Sequence, residues 1–156
     1  MPDTETAALR ELVDRQQIAD LVHAYCFHFD NNEPEAVAAL FTDDAEVDYG
    51  PEFPRIHGAA AVAASIAVGL EHTFAVTSHH VSNLVVTFDG ADAADATTYL
   101  YAWHRYVDSR PESELWGRYR HRFVRTRGGW RIAALRLEAA GTRDFHRARM
   151  HPIGRR

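Results

Sequence analysis

Cysteine, lysine and long apolar runs are the scarce features of this sequence. Cys26 is the single cysteine among 156 residues, which excludes an internal disulfide. We expect Cys26 to be a small core residue, because no basic neighbour is evident that would activate its thiol. No apolar run approaches the roughly 20 residues that a membrane-spanning helix needs, and the acidic beginning of the chain gives no sign of a signal peptide. The sequence therefore predicts a soluble cytoplasmic protein with no membrane partner.

Lysine is absent altogether, and all 17 basic side chains are arginines. The formal net charge of -5 gives no reason to expect an attraction to nucleic acid. The arginines from Arg105 onward alternate with apolar residues and do not form a continuous basic run, a pattern typical of strands. A nucleic-acid-binding patch is the weaker alternative, and we expect no nucleic-acid partner.

Apolar residues, by contrast, are plentiful: 46% of the chain is hydrophobic and 11% is aromatic. A chain of this length and composition can bury a core of its own, so it needs no second domain. We predict a single domain over residues 1–140. A tail over residues 141–156 lacks periodicity, and we expect it to be loosely ordered or to reach a partner subunit.

The first predicted helix begins at Thr4 or Thr6, and its length of about 25 residues allows a break near Gln16-Gln17. Its last turns form an apolar arc of Leu21, Val22, Tyr25, Cys26 and Phe29. Asp30 falls at the edge of this arc, one turn beyond Cys26. A half-buried carboxylate either finds a hydrogen-bond donor or has its pKa raised, and both situations recur at acid–base sites.

The rest of the chain is predicted to contain two more helices and five strands. Asn32 caps a short helix over residues 35–41, and Gly58 opens a third helix over residues 59–70. Strands are expected over residues 45–49, 81–88, 94–107, 115–126 and 130–138, with a hairpin at Asp89-Gly90. Helices followed by a meander of strands predict an α+β fold, in which three N-terminal helices pack on one face of a curved antiparallel sheet.

Hairpin registers estimated from the turn positions divide the strand residues between two faces. They pair His79 with Ala102, His104 with His121, and His121 with Ala134. The face predicted to form a pocket contains His79, Val81, Asn83, Leu100, Ala102, His104, Tyr119, His121, Phe123, Ile132, Ala134 and Arg136. The other face mixes aromatic residues with arginines, as protein interfaces do, and contains His80, Tyr99, Tyr101, Trp103, Arg105, Arg118, Arg120, Arg122, Arg131 and Leu135. A slip of one residue at any turn would exchange the two faces.

His79 is the predicted partner of Asp30. A carboxylate that accepts a hydrogen bond from one imidazole nitrogen leaves the other nitrogen free to act as a general base near neutral pH. Tyr25 would donate to a substrate oxygen as negative charge develops there. The catalytic candidates are therefore Tyr25, Asp30 and His79, and the substrate-binding candidates are Tyr49, Asn83, His104, His121 and Arg136.

Each catalytic candidate also has a purely structural interpretation. His79 or its neighbour His80 could be an ordinary hydrogen-bonded strand residue, and Tyr25 could be a core residue. Asp30 could simply end the helix, although a carboxylate opposes the helix dipole at that position. His79, His104 and His121 together would suit zinc or iron, but no recognised metal-ligand spacing is present. We therefore expect no metal and no cofactor.

Six short motifs occur in a fixed order along the chain. They are Tyr25-x4-Asp30, Phe41-x2-Asp44-Ala45, His79-x3-Asn83, Asp89-Gly90, Gly117-Arg118-Tyr119 and Gly128-Gly129-Trp130-Arg131-Ile132. Over roughly residues 9–137, this order resembles the SnoaL-like group of the nuclear-transport-factor-2-like superfamily. The resemblance is strongest to its dehydratase branch, which includes scytalone dehydratase, bile acid 7α-dehydratase and hexachlorocyclohexane dehydrochlorinase.

The resemblance implies a cone of curved sheet closed by three helices around a deep apolar pocket, and commonly a homodimer formed through the outer sheet face. It implies that Asp30 and His79 are the Asp–His pair of the pocket, and that Tyr25 matches a tyrosine of the bile acid enzyme. Arg136 fits less well, because the dehydrochlorinase arginine lies one place closer to the tryptophan of the last strand.

The residues and the resemblance together predict a cofactor-free, dehydratase-like lyase or isomerase. It would act on a hydrophobic cyclic small molecule by proton abstraction through His79 and Asp30. Two other classes stay open: a non-catalytic binding or oligomerisation module, and the small subunit of an aromatic-ring oxygenase.

Overall fold

The computed structural model describes residues 4–154, which form three helices and one seven-stranded sheet. The helices are α1 (Thr4–Asp30), α2 (Pro34–Ala38) and α3 (Ala59–His72). The strands are β1 (Phe41–Asp48), β2 (Ile56–His57), β3 (Phe74–Asp89), β4 (Ala93–Tyr106), β5 (Ser113–Thr126), β6 (Gly129–Arg143) and β7 (His151–Pro152). The predicted α+β class is confirmed. Within residues 4–154, no helix is both long enough and apolar enough to cross a membrane.

The sheet is curved and open, with strand order β2-β1-β6-β5-β4-β3 and β7 attached to β6. Strands β3 to β6 form the antiparallel meander that the hairpin signals predict. Two strands depart from this antiparallel pattern, since β1 and β7 both run parallel to β6. Strands β2 and β3 lie at opposite ends of this order, so within the described residues the sheet does not close on itself.

The end of α1 is fixed by a left-handed turn. Asn32 has a positive φ of 58°. Its N–H donates to the Phe29 carbonyl over 3.1 Å, and the N–H of Glu33 donates to the His28 carbonyl over 2.9 Å. These two bonds are a Schellman cap, so Asn32 terminates α1 and does not cap α2 as predicted. The cap makes Asp30 the last residue of a helix that runs unbroken from its start.

The core lies between the helices and the inner face of the sheet. α1 contributes the predicted arc, from which Val22, Tyr25 and Cys26 are almost completely buried. α3 adds Val62 and Ile66 from its own apolar stripe. Burial of an aliphatic side chain of this size contributes roughly 1.5–3 kcal/mol, so these contacts hold the helices on the sheet.

A partly buried ion pair anchors the other half of α1. The carboxylate of Asp14 accepts two hydrogen bonds from Arg125, at 3.0 and 2.7 Å, and a third from Trp130 Nε1 at 3.0 Å. Arg125 and Trp130 flank the turn between β5 and β6. The arrangement fixes the direction in which α1 crosses the sheet, and therefore where its C-terminal end lies.

The predicted register is right at His79 in the first hairpin and partly right in the second. His79 pairs with Ala102 as predicted, although the turn places Asp89 opposite Ala93 and a bulge between Ser82 and Val85 then shifts the register by one residue. His104 pairs with Ser113 and not with His121, because β4 and β5 turn earlier than predicted. The displacement along β5, from 121 to 113, is an even number of residues, so the assignment of side chains to faces is unchanged.

Two β-bulges overturn the predicted positions of substrate-binding candidates. Phe123 pairs with Ile132, but a bulge then pairs His121 with Leu135 where Ala134 was expected. Beyond it, the side chain of Arg136 points outward, and neighbouring leucines take the inner positions. A second bulge, between Ser82 and Val85, leaves Asn83 exposed with a φ of 52°. Asn83 and Arg136 are therefore not pocket residues.

The C-terminal tail is more ordered than predicted. β6 continues to Arg143, and β7 pairs with Glu138 and Ala139 in the middle of it. His151 Nε2 contacts Asp48 Oδ1 at 2.8 Å, which ties the tail to the end of β1. Between these strands, residues 144–150 fold back over the helical side of the sheet. The predicted tail also includes residues 155 and 156, and the predicted domain residues 1–3, which lie outside the described residues.

Candidate active site

A cavity of about 180 Å³ lies between the ends of α1 and α3, the inner face of the sheet and the C-terminal segment. Four of the sequence candidates line it: Tyr25, Tyr49, His79 and His104. Asp30 stands directly behind His79. Apolar and aromatic side chains, among them Phe29, Phe74 and Leu115, form most of the remaining wall. The structure thus brings together all three catalytic candidates and two of the five substrate-binding candidates.

Asp30 and His79 form a close polar contact in the site. His79 Nδ1 lies 2.6 Å from Asp30 Oδ1, and the backbone N–H of His79 donates to Asp30 Oδ2 over 2.8 Å. Thr77 Oγ1 donates to Oδ1 over 2.8 Å. The side chains of His79 and Asp30 are 6% and 24% exposed. His79 is the inward-facing histidine of the pair, because its neighbour His80 is exposed on the other face.

The hydrogen bonds decide the ionisation of Asp30. Burial would raise its pKa, but the hydrogen bonds from His79 and Thr77 outweigh burial and hold the pKa below the ordinary value of an aspartate. An ionised carboxylate can only accept hydrogen bonds, so the proton of this contact resides on His79 Nδ1. His79 Nε2 has no hydrogen-bond partner among residues 4–154 and is the nitrogen left to face the cavity.

Two tyrosine hydroxyls meet at the cavity wall. Tyr25 Oη and Tyr49 Oη are 2.6 Å apart; the Tyr25 side chain is buried and that of Tyr49 is half-buried. Burial raises the pKa of Tyr25 well above its ordinary value and that of Tyr49 to about 12, so both phenols stay protonated. One hydroxyl donates to the other, which leaves the second proton free to donate to a ligand oxygen.

A chain of hydrogen bonds sets the tautomer of His104. Arg147 Nε can only donate, so His146 Nε2 accepts from it over 3.3 Å and His146 Nδ1 donates to Tyr106 Oη over 3.1 Å. Tyr106 then donates to Ser113 Oγ over 2.7 Å, and Ser113 donates to His104 Nδ1 over 3.3 Å. His104 therefore has its proton on Nε2. Burial, followed by the charges of His79 and His146, lowers the pKa of His104 to about 3, so it is a neutral donor.

His121 belongs to the core and not to the cavity. Its ring stacks on Phe123 with centroids 5.1 Å apart, and it meets the edge of Tyr119 at 5.8 Å. Neither ring nitrogen has a hydrogen-bond partner among the described residues. Burial lowers the pKa of His121 to about 3. The prediction that His121 contacts substrate is therefore not supported by its position.

Arg136 lies at a second concavity, on the outer face of the sheet. This groove has a volume of about 540 Å³ and a charged lining that includes Glu46, Arg120 and Arg122. It is separated from the Asp30–His79 pair by the sheet itself. Within residues 4–154, no group of three or more histidine, cysteine, aspartate or glutamate side chains is arranged to hold a metal ion.

Sequence reasoning missed the part of the cavity that the C-terminal segment supplies. Phe145, His146 and Arg147 all line it. They lie more than 60 residues beyond His79 in the chain, in a stretch without periodicity, and no local pattern indicates that it folds back. The one available cue was an aromatic residue followed by two basic ones in a segment predicted to lack regular structure.

A model of the SnoaL-like domain matches residues 10–136 of the sequence. The chain belongs to the SnoaL-like family. This confirms the resemblance found in the motifs, and the nuclear-transport-factor-2-like fold agrees with the observed helices and sheet. No curated protein matches the sequence at a significant level.

Solved structures extend this assignment. A protein of Novosphingobium aromaticivorans with the provisional name scytalone dehydratase is 34% identical, with a TM-score of 0.88 over 96% of this chain and 99% of that one. A provisionally named aromatic ring hydroxylase of the same organism is 26% identical, with a TM-score of 0.75 over 81% and 88% of the two chains. A hexachlorocyclohexane dehydrochlorinase of Novosphingobium barchaimii, 18% identical, shares the fold with a TM-score of 0.81 over 94% and 99%.

Proposed function

We propose that this SnoaL-like protein is a cofactor-free lyase or isomerase that removes a proton next to a carbonyl group of a hydrophobic cyclic small molecule. The observation that supports the proposal is the Asp30–His79 pair, whose free imidazole nitrogen faces an apolar cavity. An imidazole held in this way is a general base, and an ionised carboxylate behind it stabilises the imidazolium that forms. The similarity to a protein named for dehydratase activity is consistent with this class of reaction.

The reaction begins when His79 Nε2 takes a proton from the carbon adjacent to the carbonyl. The electrons of the broken C–H bond move to the carbonyl oxygen and form an enolate. The free hydroxyl proton of the Tyr25–Tyr49 pair is donated to this oxygen in a hydrogen bond, which is worth most in a site from which water is excluded.

Collapse of the enolate completes either reaction. In an elimination, the electrons return to form a carbon–carbon double bond and expel a hydroxyl group from the next carbon, and the proton held by His79 leaves with it as water. In an isomerisation, the same proton is returned to a different carbon. His104 Nε2–H would donate to the departing oxygen, since the His79 and His104 rings are only 5.6 Å apart.

The size of the cavity restricts the substrate. Its volume of about 180 Å³ is close to the roughly 150 Å³ that accommodates benzene in an engineered protein cavity. One substituted ring therefore fits without rearrangement, and a larger polycyclic substrate would require the C-terminal segment to move.

Hydrogen exchange on a simple cyclic ketone tests the base. Cyclohexanone in D2O would be followed by proton NMR for loss of the signal next to its carbonyl, with and without protein. His79→Asn keeps a backbone N–H for Asp30 and removes the imidazole, so catalysed exchange should fall by at least about 100-fold. His80→Asn is the matched control, because it removes an exposed imidazole from the adjacent residue.

The result is decisive in either direction. Wild-type exchange at the buffer rate, full activity in His79→Asn, or loss of activity in His80→Asn would each contradict the proposed role of His79. Circular dichroism of both variants shows whether the fold is retained.

A second candidate is the small subunit of an aromatic-ring oxygenase, favoured by the similarity to the hydroxylase named above. It predicts a stable complex with a second, different chain on affinity purification, and no exchange activity for the isolated protein. A non-catalytic binding module predicts ligand binding without exchange and without a second chain.

We also propose a cytoplasmic homodimer that associates through the outer face of the sheet. Tyr99 and Trp116 are 42% and 40% exposed there, and Arg118 stacks on Tyr99 at 4.7 Å. Exposed aromatic residues next to arginine are enriched at protein interfaces. Sedimentation velocity should give the mass of a dimer, and a monomer at micromolar concentration would contradict the proposal.

A further inference from the structure

Arg147 places a guanidinium group in the wall of the cavity. Its Nη1 donates to the backbone carbonyl of Tyr49 over 2.7 Å, and its Nε donates to His146 Nε2 over 3.3 Å. The guanidinium lies over the rings of Phe53 and Tyr49, at 4.9 and 5.8 Å from their centroids. The charge is thus held by two hydrogen bonds to neutral acceptors and by aromatic surfaces.

No carboxylate of residues 4–154 forms an ion pair with Arg147. Other arginines of the same chain do find one: Arg125 pairs with Asp14, and Arg122 with Asp89 and Asp95. Two of the five N–H groups of a guanidinium are used by Arg147 in the contacts above, and the others have no acceptor in the described chain.

A charge without an ion pair is costly in this half-buried position, although the nearby carboxylate of Glu52 attracts it. Taking a guanidinium out of water is unfavourable unless an anion or a full set of hydrogen bonds replaces the solvent. Burial accordingly lowers the pKa of Arg147 below the ordinary value of an arginine.

We propose that Arg147 recognises a carboxylate on the substrate, so that the protein acts on a cyclic acid. This inference rests on the proposed function, since it assigns the substrate class of the same cavity. A guanidinium presents parallel N–H groups that match the two oxygens of a carboxylate, and such pairs are strong when they are shielded from water.

Tyr49 sets the distance between the acid group and the reacting carbon. Its backbone carbonyl holds Arg147, and its hydroxyl, at the far end of the side chain, bonds to Tyr25. The carboxylate and the carbonyl of the substrate are therefore separated by about the length of a tyrosine side chain. A ring with a carboxylate on one side and the reactive carbonyl on the other meets this requirement, whereas a short acyclic keto acid does not.

Binding of a matched pair of probes tests the inference without any reaction. Benzoate and benzamide have the same ring and nearly the same shape, and only benzoate is charged at pH 7. NMR titration of the wild-type protein should show benzoate bound at least about tenfold more tightly, as expected for a charge-assisted pair away from water. Arg147→Gln should abolish this preference, and Arg147→Lys should retain part of it.

Arg149→Gln is the matched control. Arg149 is exposed in the same segment and holds Glu52 through its backbone N–H, so its substitution removes an equal charge from outside the cavity. It should leave the preference for benzoate unchanged, which separates direct contact from a general change in net charge.

Equal binding of the two probes by wild type would overturn the inference, and so would a preference that survives in Arg147→Gln. If Arg147→Gln shows no cooperative thermal transition, the wild-type preference and the Arg147→Lys result decide the question. Binding needs no proton transfer, so a preference for benzoate without catalysed exchange would contradict only the proposed function. Catalysed exchange without a preference for benzoate over benzamide would contradict only the inference about Arg147.

Discussion

Replacing His121 with leucine should make the protein more stable, and increasingly so as the pH falls. The imidazole of His121 is 4% exposed and has no hydrogen-bond partner among the described residues, yet it occupies the space of a core side chain against Phe123. Leucine has a similar volume and no polar atoms. Removing an unsatisfied buried polar group is worth on the order of 1 kcal/mol at pH 7, after a small loss from imperfect repacking.

The pH dependence of the free energy of unfolding gives a more specific expected value. Burial lowers the pKa of folded His121 to about 3, whereas an unfolded histidine has a pKa near 6.5. Below pH 6.5 the unfolded chain takes up a proton that the folded chain does not, so stability present above that pH is lost as the pH falls towards 3. At pH 5, His121 lowers the free energy of unfolding by about 2 kcal/mol relative to pH 7. Each further pH unit lowers it by about 1.4 kcal/mol more. The His121→Leu variant has no imidazole at this position, so its free energy of unfolding does not fall for this reason.

Urea unfolding followed by tryptophan fluorescence at pH 7, 6 and 5 measures the difference. The free energy of unfolding of the variant should exceed that of wild type by about 2 kcal/mol more at pH 5 than at pH 7. His72→Leu removes an imidazole that is 66% exposed and serves as the control, because solvent reaches it in both states. Parallel pH profiles for wild type and His121→Leu would refute the assignment of a neutral, unpaired imidazole to this position.

Two further substitutions test the framework that positions the site. Asp14→Asn leaves the Arg125 guanidinium with only its ion pair to the exposed Asp92, and urea unfolding at pH 7 should show a loss of about 2 kcal/mol. The hydrogen bond from Arg125 lowers the pKa of Asp14, so this difference should vanish in acid as the pH falls through that lowered pKa. Gly117→Ala would drive a Cβ into the carbonyl oxygen of Glu138 at a β-bulge and should cost at least about 2 kcal/mol in the same assay. Gly141→Ala, where the added Cβ meets no neighbour, should change stability by less than about 0.5 kcal/mol, and equal effects of the two alanines would contradict the steric argument.

Local rules predicted the Asp30–His79 pair, but only the position of Asp30 depends on short-range structure alone. The apolar periodicity of the first helix placed Asp30 at the edge of the buried arc. The three-residue turn Gly90–Asp92 places Asp89 opposite Ala93, and the bulge between Ser82 and Val85 shifts the register by one residue, which pairs His79 with Ala102 and turns it inward. The position of Asp30 therefore required only local structure, whereas the orientation of His79 depends on a bulge that the predicted register did not include.

The failures came from features that have no local signal. A bulge beside Arg122 moved the last strand by one residue and reversed the direction of Arg136, and another removed Asn83 from the ladder. A periodic pattern continues through a bulge without a visible change, since only one backbone residue is added. Arg147 was missed for a different reason: its segment reaches the cavity through contacts with Tyr49, 98 residues away in the chain.

In the proposed reaction, the charges around the cavity would let one site both recognise an anion and stabilise a second negative charge. When His79 accepts a proton, the imidazolium lies against the Asp30 carboxylate, 2.6 Å away, so this new charge is balanced where it forms. The enolate is met by phenols that burial keeps protonated, so its charge is shared in a hydrogen bond and no tyrosinate is produced. The cation of Arg147 is then committed to the carboxylate of the substrate and does not compete for the enolate. This division of roles would give a function to two residues that break local rules, a carboxylate at the wrong end of a helix dipole and a half-buried arginine without an ion pair.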